Sequence, residues 1–97
     1  MSPERTIAYR RVIQTLTDLG PSKLQSAEQE RIRFAADTLI FSSDLYSDDA
    51  AHTALADTEQ LCRALVESGR WEQATARRLA DDVRSCGPSV VFELEAA

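Results

Sequence analysis

The strongest constraint on this chain is its punctuation. Gly-Pro pairs at Gly20-Pro21 and Gly87-Pro88, with polar breaks at residues 42–49 and 68–70, divide it into four stretches of apolar residues. Within each stretch those residues recur at three- and four-residue spacing, the period of a helix buried along one side. Glycine can take a left-handed cap and proline cannot continue a helix, so each Gly-Pro pair reads as a stop rather than as part of a repeat.

The spacing predicts a first helix over residues 3–19, opened by Pro3, whose missing N–H has no helical partner at that position anyway. Its stripe is Tyr9, Val12, Ile13, Leu16 and Leu19. A second helix begins near Lys23 or Ser26 and runs to Phe41, and Ser26 with Gln29 has the spacing of a capping box. The third covers residues 48–67, with Ala51, Ala54, Leu55, Thr58, Leu61, Cys62, Leu65 and Val66 on one face. The fourth covers residues 71–85, with Ala76, Leu79, Ala80 and Val83 inward.

Four helices with short connections predict an all-α fold, an antiparallel four-helix bundle over residues 1–88. Its core should centre on Tyr9, Val12, Ile13, Leu16, Ile32, Leu39, Leu55, Leu61, Leu65, Leu79 and Val83. A short C-terminal tail, residues 89–97, changes character: Val90, Val91, Phe92 and Leu94 favour an extended conformation and find no strand partner upstream.

Composition excludes several functions. A net charge of −5 argues against direct binding of nucleic acid, which needs a basic face. No stretch approaches the length of a membrane span. Glu4 and the lack of an apolar run near the start do not fit a secretory signal, and with two cysteines they point to reduced thiols and a cytoplasmic location.

The second helix carries one feature that a simple surface helix does not need. Leu24, Ile32, Ala35 and Leu39 form its core row, interrupted by Glu28, whose place in the first turn suits the helix dipole. Ser26, Glu30, Arg33 and Asp37 lie roughly opposite, with Arg33 and Asp37 spaced to pair. Ala27, Phe34, Thr38 and Phe41, continued by Leu45, form a further apolar row displaced from the core row by about 100° or more. Either that row seals a groove to a neighbouring helix or lies under the tail, or it is an interface, where aromatic residues are enriched.

Catalytic and cofactor chemistry finds no motif. His52 is the only histidine, and Asp49 three residues before it supplies too few ligands for a metal site. Cys62 and Cys86 lie at different levels of an antiparallel helix pair, too far apart for a disulfide. Residues 63–83 have the outline of a helix-turn-helix, yet Asp81 and Asp82 follow Arg77 and Arg78 at i+4 and cancel the positive field. Trp71, after the turn at residues 68–70, reads as a plug at the bundle's end.

The expectation is a small acidic protein–protein interaction module without catalytic activity, self-associating or docking on a larger protein. A homodimer relieves both oddities if second-helix faces or tails meet across a two-fold axis, with Phe34, Thr38, Phe41, Leu45, Val90, Val91, Phe92 and Leu94 at the interface. The alternative is a regulator that binds the basic surface of a nucleic-acid-handling enzyme through its own acidic charge. A further reading, a ligand-binding bundle, would need convergent core polar groups, and only Thr58, Cys62 and Tyr9 are available.

Overall fold

A computed structural model describes residues 3–43 and 48–88. Leu45 and the tail residues Val90, Val91, Phe92 and Leu94 lie outside the described residues. Those described form four helices and no strand: α1 (Pro3–Lys23), α2 (Ser26–Ile40), α3 (Asp49–Glu67) and α4 (Gln73–Cys86).

The helix ends follow the local chemistry, with informative departures. Gly20 takes φ 58° and ψ −170°, outside helical geometry, so the break expected there is a kink and α1 resumes for one more turn to Lys23. Only glycine adopts that φ without steric cost.

The α2 cap lies one residue earlier than Ser26. Glu28 Oε1 accepts the Gln25 backbone N–H at 2.9 Å, because Glu28, not Gln29, stands three residues past the cap. Asp48 caps α3, its Oδ1 accepting from the Ala51 N–H at 3.0 Å. That bond holds the Asp48 carboxyl below the usual range.

The second Gly-Pro pair works differently from the first. Gly87 is extended (φ −85°, ψ 179°) rather than left-handed. A Cβ there would stand 3.0 Å from Leu39 Cδ2, so here the backbone of one helix end lies against the side of another.

Helices consecutive in the chain, and α1 with α4, run in opposite directions, whereas α2 and α4 lie parallel with both their C-termini at Arg5. Tyr9 meets Asp37, Arg11 meets Asp82, Arg31 meets Asp57 and Arg84 meets Glu59, so rising numbers on one helix face falling numbers on its neighbour. The result is an up-down-up-down bundle. It is skewed: α2 touches α1, α3 and α4, whereas α1 and α3 do not touch.

The core contains Val12, Leu16, Ile32, Leu39, Leu61, Leu65, Leu79 and Val83, as the periodicity predicts. Tyr9, Ile13 and Leu55 are only partly buried. Ala8, Ala36, Ile40, Trp71 and Cys86 join the core instead, and the small Ala8 and Ala36 let helices approach closely.

Candidate functional site

The site is built on α2, which, like α4, touches each of the other three helices. Because α2 meets three others, its buried arc is wide: Ile32, Ala35, Ala36, Leu39 and Ile40. Ala36 and Ile40, outside the core row read from the sequence, belong to that arc. Phe34 and Phe41 do not: they are 65% and 81% exposed. Leu39 and Phe34 differ by five residues, or roughly 140° around the helix, so the phenylalanine row looks away from the core. Thr38, between them, is half-buried.

Each flank of this outward row is fixed by a polar contact. On the α1 side, Tyr9 Oη donates to Asp37 Oδ1. This takes the place of the expected Arg33–Asp37 pair, and the bond to the carboxylate raises the Tyr9 pKa above its ordinary value. On the α3 side, Arg31 makes a two-pronged contact with Asp57, Nε to Oδ2 at 3.1 Å and Nη2 to Oδ1 at 2.6 Å. The guanidinium holds the Asp57 carboxyl below the usual range.

Between α2 and α3 lies an open groove of about 440 Å³, lined by Arg31, Phe34, Asp49, Ala50, Thr53, Ala54 and Asp57. Its α3 side is made of small residues, and Phe34 stands along its α2 side. Ala50 and Thr53 lie outside the apolar face that the spacing assigns to α3. Their signal was present as small residues at three- and four-residue spacing with Ala54 and Asp57.

The polar groups that could have served a ligand between helices are already engaged. Thr58 is buried and its hydroxyl donates to the Ala54 carbonyl at 3.1 Å. Tyr9 is held by Asp37. Both thiols are free and buried, and burial pushes Cys62 up to about 11 and Cys86 up to about 12. His52 is exposed, and among the described residues no three His, Cys, Asp or Glu side chains gather to hold a metal ion.

The Arg–Asp pairing expected within residues 63–83 is also corrected. Asp82 pairs with Arg11 at 2.9 Å and Asp81 with Arg84 at 3.7 Å, not with Arg78 and Arg77. Asp82 is nearly buried between α1 and α4, so it serves bundle assembly. The turn before α4 is anchored rather than free: Trp71 is buried and its Nε1 donates to the Lys23 carbonyl at 3.1 Å. Beside it Arg70 grips Glu28 through two bonds of 2.8 Å. Glu28, which interrupts the α2 core row, is thereby accounted for.

No described helix is long and apolar enough to cross a membrane. Comparison of the chain with known protein families, with curated proteins and with solved structures finds no match.

Proposed function

We propose that this chain is a non-catalytic protein–protein interaction module that self-associates through the outer face of α2. One observation carries the reading. Phe34 and Phe41 stand exposed on the side of α2 opposite a core that Ala36 and Ile40 already complete. Neither ring is needed to finish the bundle, yet burying each would contribute about 2 kcal/mol on association. Aromatic residues on a contiguous outward row are the usual anchors of interfaces. Two buried, free thiols suit a reducing compartment, in keeping with a cytoplasmic role.

A second copy is the favoured partner because the row itself is uncharged and offers a basic surface nothing to pair with, although both copies carry net charge −5. Association should then strengthen as salt screens the mutual repulsion. Docking on a basic enzyme surface would weaken with salt instead.

Light scattering at high micromolar concentration tests the proposal, on the intact chain and on a chain ending at Pro88. Both should run at about twice their own single-chain mass, 10.8 kDa for the intact chain, increasingly so with added salt. A monomer mass for the intact chain overturns self-association. Loss of the dimer only in the shortened chain moves the interface from α2 to the tail.

A further inference from the structure

Resting on the self-association reading, we infer that each copy seats its Phe41 ring in the other copy's groove between α2 and α3. Phe41 is the C-cap of α2, and its ring stands off the helix end with 81% of the residue exposed. The groove opens beside Phe34, seven residues or roughly 10 Å back along the same helix. Knob and hollow therefore share one face.

That pairing suits a two-fold interface, which must be complementary to itself. The hollow, about 440 Å³, admits an aromatic ring, and its α3 side of Ala50, Thr53 and Ala54 presents methyl groups rather than bulk. Phe34 along the other side offers an edge or face to the incoming ring, the geometry aromatic pairs prefer.

The charges around the hollow favour the same occupant. Asp57 is neutralised by Arg31, and Asp49 lies in the first turn of α3, where the helix dipole offsets it. What remains is an apolar slot with little demand for a cation. Each two-fold operation fills two such slots and withdraws four exposed phenylalanines from water.

Two measurements test this placement. In the first, Phe41→Cys and Thr53→Cys chains are purified separately, mixed and oxidised, and the products are weighed. The native thiols are buried and stay out of the reaction. A mixed disulfide joining positions 41 and 53 should predominate over bridges between like chains. Bridges between like chains only, in a protein that still dimerises, overturn the groove placement and leave self-association standing.

In the second, Ala50→Trp fills the hollow while both phenylalanines stay unsubstituted. Its light-scattering mass should fall from about twice 10.8 kDa to the single-chain value while its helical spectrum is kept. An Ala50→Trp dimer of unchanged stability overturns the placement. A monomeric intact chain overturns both readings together.

Discussion

Arg5 donates from Nε to the carbonyl of Cys86 at 2.8 Å, across 81 residues of sequence. The same guanidinium reaches Leu39, Ile40 and Ser42 carbonyls through Nη2 at 2.8, 3.1 and 2.6 Å. Helix C-termini leave carbonyls without partners, and a cation there also meets the negative end of the dipole. One side chain at the start of α1 thus caps both α2 and α4. Arg5→Met should cost about 2–3 kcal/mol, since it strands several acceptors of a charged donor. Arg5→Lys should recover less than half, because an ammonium lacks the planar fork. Urea unfolding with unchanged slope measures both, and a loss below about 0.5 kcal/mol would contradict the double-cap role.

The acid limb of stability follows from three carboxyls. The Arg70 guanidinium holds Glu28 below its ordinary 4.5, and the Arg31 guanidinium holds Asp57 below 3.8. The Ala51 N–H does the same for Asp48. A group with a depressed folded pKa binds fewer protons when folded, so its stabilisation is present above the unfolded value. It is lost as pH falls through the folded value. Stability should be flat near neutrality and decline below about pH 4.5. The gap between wild type and Glu28→Gln should close as pH falls, which urea midpoints at stepped pH would register. A gap that widens on acidification would contradict the pairing.

At the alkaline end the sign reverses. Tyr9 is raised above 10.0 by its bond to Asp37, so the folded state keeps its proton longer than the unfolded chain does. Its contribution is present below the unfolded value and is lost as pH rises through the folded one. Spectrophotometric titration should show one tyrosine ionising later than free tyrosine, a feature absent in Tyr9→Phe.

Both thiols should resist alkylation in the native state. Cys62 and Cys86 are buried, with pKa values near 11 and 12, so little reactive thiolate exists at neutral pH. Mass spectrometry after iodoacetamide treatment should show no added groups in native protein and two in denaturant. Rapid native labelling would place a thiol at the surface.

Leu61 is 5% exposed on the inner face of α3. Leu61→Ala should cost about 2–5 kcal/mol through lost burial and the cavity left behind. A loss below about 0.5 kcal/mol would mean the buried face of α3 is elsewhere.

Helix number and faces were legible because apolar period and breakers act locally. Gly20 breaks the regular helix by its own φ, although α1 resumes beyond it, and Asp48 caps α3 with its own carboxylate. What depended on distant partners was not legible. Nothing near Glu28 in sequence announces Arg70, and nothing near Arg5 announces the ends of α2 and α4. Phe34 and Phe41 were visible as a second row, but their outward aspect emerges only with Ala36 and Ile40 taking buried positions on the same helix. The groove escaped notice because it belongs to two helices, and Ala50 and Thr53 become a surface only when α2 lies beside them.

The most direct measurement of the central claim is the solution mass of Phe34→Glu/Phe41→Glu beside that of the intact chain. Both residues are exposed, so the charges cost the bundle little and the helical spectrum should persist. The account predicts about twice 10.8 kDa for the intact chain and the single-chain mass for the variant at equal concentration. A folded variant that keeps the mass of the intact dimer would contradict it.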